Sequence, residues 1–263
     1  MKPPVIHYHY FRSPLPYAPT LALQEKIHAL QLAKRKASAP YKDLLLLHQH
    51  RPVYTPGRRQ SEESVKDERI RLTRAGADFV TATRGGLLTY HGPGQLVGYP
   101  LIDLSRFDPT MGVRDYVCRL QKSIERCLQD SYGIFCLPSE HTGVFLTPTT
   151  KIASIGVHVR HRLTTHGFSF NVTKEPLAWF DQVVACGLND VKATCVEVAA
   201  GRQVSVDEVI PKFVSLFGQI YDREMIPIDL EEEGEVEDAI RELEKEGAKA
   251  GDWVKVPRGD ISI

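Results

Sequence analysis

The sequence contains five cysteines, Cys118, Cys127, Cys136, Cys186 and Cys195, yet no C-x-x-C pair. An odd number of scattered thiols suits reduced cysteines and argues against a disulfide framework or a cysteine zinc site. Net charge is missing too: 33 Lys and Arg balance 33 Asp and Glu, so the mean charge points to no nucleic acid or other polyanionic partner, local patches aside. No apolar run approaches the roughly 18 residues of a membrane span, so a soluble chain without a membrane partner is expected. Neither the n-region nor the h-region of a secretory signal is present at the N-terminus, which points to an intracellular protein. Internal repeats are absent as well. The 263 residues suffice for one sizeable domain, or two small ones, with a proper core.

What is present reads as alternating strands and helices. "VIHYHYF" (Val5 to Phe11) alternates and is β-rich, Tyr17 to about Lys36 has helical spacing, and "DLLLLHQH" (Asp43 to His50) suits a central strand. A turn at Pro56-Gly57 leads to a helix ending near Gly76, and "DFVTATR" then delivers Arg84 as a strand. "GQLVGYPLIDL" reads as a strand. The clearest helix follows, with Val117, Leu120, Ile124 and Leu128 on one stripe and Gly133 as its C-cap. "GVFLT", "TKIASIGVHVRH" and "LTTHGFSFNV" suggest an antiparallel meander. An irregular stretch with a short helical piece runs through "ACGLND", and a helix spans about Val206 to Tyr221. Strands outnumber helices, so the expected class is α+β with a mixed sheet and flanking helices. From about Asp229 the chain is dense in charge and reads as a solvated helix or a partly disordered appendage.

The stretch "RGGLLTYHGPGQLVGYPLIDL" (Arg84 to Leu104) has the glycines of a phosphate loop without its Lys-Ser/Thr. A β-like run follows it, so no helix N-terminus is offered to a phosphate. Paired glycines between strands either make a bulge and turn, or let a ligand lie flat against bare backbone. Among the thiols, Cys118, Cys127 and Cys136 read as small buried hydrophobes and Cys195 lies in a strand-like run. Cys186 sits before a glycine on an irregular segment, where an electrophile can reach it. A nucleophilic thiol needs a base or a cation close by, and His48, His50, His91, His166 and Lys151 are the candidates. His48 and His50 share a strand face, but no third ligand is fixed beside them, so no metal is expected.

"PVYTPG", the glycine stretch, "TGVFL", "KIASIGVHV", "THGFSFNV" and "ACGLND" occur in that order between about Val5 and Tyr221. Together they resemble the lipoyl(octanoyl) transferases, the octanoyl-acyl-carrier-protein:protein N-octanoyltransferases, and Trp179-Phe180 looks most like the mitochondrial eukaryotic branch. The resemblance implies the fold shared by biotin and lipoate protein ligases, and with the charge pattern of the tail the expected division is a catalytic domain over 1–225 and a charged extension over 226–263, partly helical or disordered. It implies an acyltransferase that needs no cofactor. An octanoyl group would pass from acyl carrier protein to Cys186, helped by Lys151. From there it would go to a lysine of the lipoyl domains of 2-oxoacid dehydrogenase E2 subunits or of the glycine cleavage H protein, the first step of endogenous lipoate formation. The substrate-binding positions it implies are Arg84, Gly85, Gly86, Leu87, Leu88, Thr89, Tyr90 and His91 in the glycine stretch. Ser154, Ile155, Gly156, Gly167, Phe168 and Ser169 complete the set, and His91 and His50 would wall the pocket. "HGFSFN" departs from the more usual "HGLALN" at Phe168 and Ser169, which bears on chain-length preference.

Three other readings compete. An ATP-dependent ligase on the same fold would not need Cys186, and an inactive lipoyl-domain or carrier binder would need neither Cys186 nor Lys151. A cysteine hydrolase would release free octanoate. Arg58-Arg59 and Arg160 to Arg162 are basic clusters that suit an acidic carrier or are ordinary solvated arginines. The resemblance implies a mitochondrial location. A first strand at about Val5 leaves no room for an Arg-rich, Ser-rich cleavable leader, so the signal lies within residues 1–20, the sequence is trimmed, or the protein is cytoplasmic.

Overall fold

The computed structural model describes residues 4–183 and 190–259. Its elements in chain order begin with β1 (Ile6–Tyr10), α1 (Tyr17–Lys36), β2 (Asp43–His48), β3 (Val53–Thr55), α2 (Lys66–Arg74), β4 (Asp78–Phe79) and β5 (Thr89–His91). Then come β6 (Gln95–Leu101), α3 (Val113–Tyr132), β7 (Val144–Thr147), β8 (Thr150–Arg160), β9 (Leu163–Asn171) and α4 (Glu175–Phe180). The series closes with β10 (Lys192–Ala193), α5 (Val196–Ala200), α6 (Val206–Tyr221), β11 (Met225–Pro227) and α7 (Glu235–Lys249).

Two mixed sheets result. The larger runs β10-β8-β9-β6-β2-β1-β11 with β7 paired to β8, and the smaller runs β4-β3-β5. In the larger sheet β2 pairs parallel with β1 and antiparallel with β6, so the class expected from sequence holds. β2 is apolar along its length because both faces are covered. Leu45 and Leu47 enter the principal core with α3 and α6, whereas Leu44 and Leu46 meet α1 and α7 on the other face.

α3 buries Tyr116, Leu120, Ile124, Cys127 and Leu128 on one stripe. Gly133 ends it at φ 66°, the left-handed region, with its N–H on the Gln129 carbonyl and that of Ile134 on the Leu128 carbonyl. α6 starts on Ser205, whose hydroxyl accepts the Glu208 N–H at 3.1 Å.

Some segments differ from the sequence reading. In "DFVTATR" only Asp78–Phe79 pairs as a strand, although the Val80 and Ala82 N–H groups still donate to Tyr54 and Pro56 carbonyls. Cys195 lies at the N-cap of α5 and not within a strand. Cys127 and Cys195 are buried, but Cys118 is exposed: one step from Val117 along a helix turns a side chain off the stripe. The charged extension is seated rather than loose. Ala239, Ile240 and Leu243 of α7 are buried against Phe11, Leu15, Leu23 and Ile27. Among the described residues no helix is long and apolar enough to cross a membrane.

Candidate active site

The glycine stretch enters on the small sheet and reaches over to the large one. The Gly85 N–H donates to the Val157 carbonyl of β8 at 3.1 Å, and the Arg58 N–H donates to the Arg84 carbonyl at 3.0 Å. Gly86 has φ 96°, a conformation that disfavours side chains, and a Cβ on Gly57 would run into its carbonyl. Arg84 is buried and braces this turn. Its Nη1 donates to the carbonyls of Gly85 (3.0 Å) and Leu87 (3.1 Å), and its Nη2 donates to the Thr55 carbonyl and, at 2.8 Å, to the Thr55 hydroxyl.

The opposite wall is the β8–β9 hairpin, where Ser154 pairs with Ser169 and Gly156 with Gly167. Wall and turn come close at Gly156: a Cβ there would lie 3.0 Å from Arg84 Cδ and 3.1 Å from the Gly85 carbonyl. Between them runs a cleft of about 440 Å³. Arg84, Gly85, Gly86, Leu87, Thr89 and His91 line it from one side, and Ser154 to Gly156 with Gly167 to Ser169 from the other. Lys151 lies along the same cleft.

Leu88 and Tyr90 take the other side of the strand, because alternate residues point to opposite faces. Both enter the small-sheet core, where the Tyr90 ring stacks on Trp179 at 5.4 Å between centroids. Phe168 sends its ring toward the principal core, 4.8 Å from Phe213.

The floor was only half legible in the sequence, which singled out His91 and His166 but neither Tyr17 nor Tyr99. Tyr17 at the start of α1, Tyr99 of β6 and His166 of β9 join His91 there, brought together by pairings distant in sequence. His166 adopts φ 57°, and Gln24 Oε1 accepts its backbone N–H at 2.6 Å. Burial, helped by the Arg84 guanidinium, pushes the His166 pKa down to about 3. Burial likewise holds His91 well below the ordinary range, with His50 and Arg84 adding to it, and raises the Tyr17 hydroxyl to about 12. At neutral pH the rings of the floor are uncharged. His50 stands one layer behind: its Nδ1–H donates to the Leu15 carbonyl (3.1 Å), leaving Nε2 to accept from the Tyr99 hydroxyl (2.8 Å). His48 Nε2 lies 3.0 Å from His50 Nε2. Among the described residues no group of three or more His, Cys, Asp or Glu is arranged to hold a metal ion.

Lys151 opens β8 between β7 and β10, paired with Phe145 on one side and Ala193 on the other. Its Nζ lies 5.3 Å from the Phe145 ring centroid, and its Cε and Nζ press on Gly143, where a Cβ would come within 2.5 and 3.0 Å of them. A second, small cavity of about 20 Å³ touches Lys151 together with Phe180, Val191 and Lys192. Cys186 lies outside the described residues. The loop residues Glu140, His141 and Thr142, with Arg59, complete the polar part of the lining. Arg160 is engaged with Glu25 at 2.8 Å, while Arg58 and Arg59 are solvent-facing or nearly so.

A cleft of this kind, bare backbone on one wall and neutral rings below, suits an uncharged chain lying against main chain. Burying about seven methylene or methyl groups contributes on the order of 5–6 kcal/mol without any phosphate contact.

The lipoyl protein ligase A/B catalytic domain model matches residues 16–218. An octanoyltransferase of Koribacter versatilis is 36% identical over 213 residues, 79% of this chain and 82% of its own length. A mitochondrial octanoyl-[acyl-carrier-protein]:protein N-octanoyltransferase of Danio rerio is 38% identical over 201 residues, 76% of this chain and 86% of its own. Among solved structures, a lipoate-protein ligase A bound with ATP superposes with TM-score 0.66 at 17% identity, covering 92% of this chain and 94% of that one. The biotin protein ligase of Aquifex aeolicus in complex with biotin and ATP superposes with TM-score 0.50 at 12% identity, covering 82% and 70%.

Proposed function

The chain belongs to the lipoyl protein ligase A/B catalytic-domain family and, within it, to the octanoyltransferases, and from that premise we propose that Cys186 and Lys151 carry its acyl transfer. The enzyme is an acyltransferase that moves octanoyl groups for protein lipoylation. The donor is octanoyl acyl carrier protein, and the acceptors are lysines of lipoyl domains, those of 2-oxoacid dehydrogenase E2 subunits and of the glycine cleavage H protein.

One observation carries the reading: a cleft walled by glycine backbone and floored by neutral rings has the side chain of Lys151 on its lining. β10, which pairs with Lys151, lies only a few residues beyond Cys186 in sequence.

In the proposed cycle Lys151 accepts the Cys186 proton, and the thiolate attacks the carrier thioester carbonyl. The new C–S bond forms as the bond to the carrier sulfur breaks, and the carrier thiol leaves with the proton held by Lys151. Exchange of one thioester for another is nearly isoenergetic, so no ATP is consumed. The acceptor amine then attacks the acyl-enzyme, its proton passes to Lys151, and the Cys186 thiolate is released. In the Gly85–Gly86 turn the Gly85 N–H is taken by the Val157 carbonyl, so the Gly86 N–H is the candidate donor for the oxyanion. The mitochondrial naming of the Danio rerio relative supports a mitochondrial location, which cell fractionation tests.

The decisive experiment is intact mass after incubation with octanoyl acyl carrier protein and no ATP. The expected result is a gain of one octanoyl unit by the unaltered chain and none by Cys186→Ser. Near-normal turnover by Cys186→Ala would remove the covalent scheme, and an ATP requirement would turn the assignment to a ligase.

A further inference from the structure

The family model ends at residue 218, so α7 and the segment after it lie beyond the matched domain. They are nevertheless packed against the two sheets that carry the cleft walls. α7 lays Ala239, Ile240 and Leu243 on the outer face of the large sheet and α1, and Gly247 comes so close that a Cβ would stand 2.7 Å from Leu15 Cδ2. Ion pairs from Lys42 to Glu232 (2.8 Å) and Glu237 (2.7 Å) fix the extension further, and His9 Nε2 hydrogen-bonds the Glu244 carboxylate at 2.8 Å.

Beyond α7 the chain crosses to the small sheet. Arg51 Nη2 donates to the carbonyls of Gly251 (2.7 Å) and Asp252 (2.6 Å), and its guanidinium stands 5.5 Å from the Trp253 ring centroid. Val254 packs on the small-sheet core and against Gly76, and the Arg258 N–H donates to the Ala75 carbonyl at 3.0 Å. Both halves converge on Leu15. Its side chain meets α7, while its carbonyl accepts the Arg51 N–H at 3.0 Å and the His50 Nδ1–H at 3.1 Å, one hydrogen bond away from Tyr99 on the cleft floor.

We propose that this extension is a specificity-determining brace: by tying the small sheet to the large one it sets the separation of the cleft walls, and so selects the length of the acyl chain. The selectivity part rests on the octanoyl reading above. The wall that moves is the glycine turn, held to β8 by Gly85–Val157 and to its own sheet by Arg84. None of the bracing residues of 251–258 lines the cleft. Their effect on chemistry has to pass through wall position.

Two full-length variants release the second half of the brace, Val254→Asp and Trp253→Ala. The readouts are hydrogen exchange at residues 84–91 and the ratio of kcat/KM for octanoyl and decanoyl carrier thioesters. Exchange at 84–91 is expected to quicken about tenfold, with α3 unchanged as internal control. KM for the octanoyl donor is expected to rise about fivefold with kcat within about twofold, and the preference for octanoyl over decanoyl to fall about fivefold. A merely stabilising role would lower the unfolding midpoint and leave both readouts where they were. Unchanged exchange at 84–91, or an unchanged length ratio despite faster exchange, overturns the proposal. An intact chain that transfers no octanoyl would sink the functional reading instead, and exchange alone would then decide whether the brace couples to the wall.

Discussion

Gly156 shows how much of this site depends on a missing side chain. A Cβ on it would stand 3.1 Å from the Gly85 carbonyl and 3.0 Å from the Arg84 side chain. Gly156→Ala is expected to push the glycine turn off the hairpin and lower kcat/KM for the octanoyl donor at least about a hundredfold, since misplacement by about 1 Å costs that much. Thermal unfolding within a few degrees of the parent would show that the loss is local; unimpaired transfer would mean the chain binds elsewhere. Lys151 makes the complementary case. Lys151→Ala is expected to slow transfer by roughly 10²–10⁴ while Cys186 remains in place, the usual range for a lost proton acceptor. Single-turnover acylation and deacylation should slow together, and a defect confined to one half-reaction would assign Lys151 a narrower role. Arg84 is a residue whose part sequence could not resolve. The motif presents it as a ligand group, whereas its donors are largely spent holding Thr55, Gly85 and Leu87.

The cap of α3 isolates a backbone effect from packing. Gly133 is left-handed, and a Cβ placed on it meets nothing within 4 Å. Gly133→Ala should therefore cost only the conformational preference, about 1 kcal/mol, or roughly 2–4 °C in unfolding temperature for a chain of this size. A calorimetric scan checks it, and a neutral result would mean that the helix end relaxes into another cap. Long, strongly periodic elements were readable because one stripe satisfies one core: α3, α6 and the doubly covered β2 are where their patterns put them. The seat of α7 was hidden because its buried face is short and interrupted by charge, Ala239, Ile240 and Leu243 among acids and bases. Leu88 and Tyr90 read as part of a continuous motif, but strand alternation turns them into the small-sheet core. Tyr17 and Tyr99 carry no local signal, because only the assembled sheet and α1 put them at one cleft.

Across the molecule, the buried histidines make stability depend on acidity with a definite sign. His50 is held at about 4 and His166 at about 3, both by burial, against an ordinary value of 6.5, and His48 and His91 are shifted the same way. Unfolding returns each ring to its ordinary value, so the unfolded chain takes up protons that the native one refuses. For His50 and His166 the contribution is complete above about pH 6.5 and is lost as pH falls to about 4 and about 3 respectively, by roughly 1.4 kcal/mol per pH unit for each ring. Unfolding midpoints should therefore drop steeply between about pH 6.5 and 4.5, and a flat profile there would mean that the rings are charged in the native protein. The sheet order has a consequence for how the chain comes into being. β1 lies between β2 and β11, and its partner Met225–Pro227 is translated long after it. During synthesis β1 must wait at an open edge on the ribosome until nearly the whole chain has emerged. Productive closure is thus a late, long-range event, slow by its topology and a natural point for chaperones to intervene.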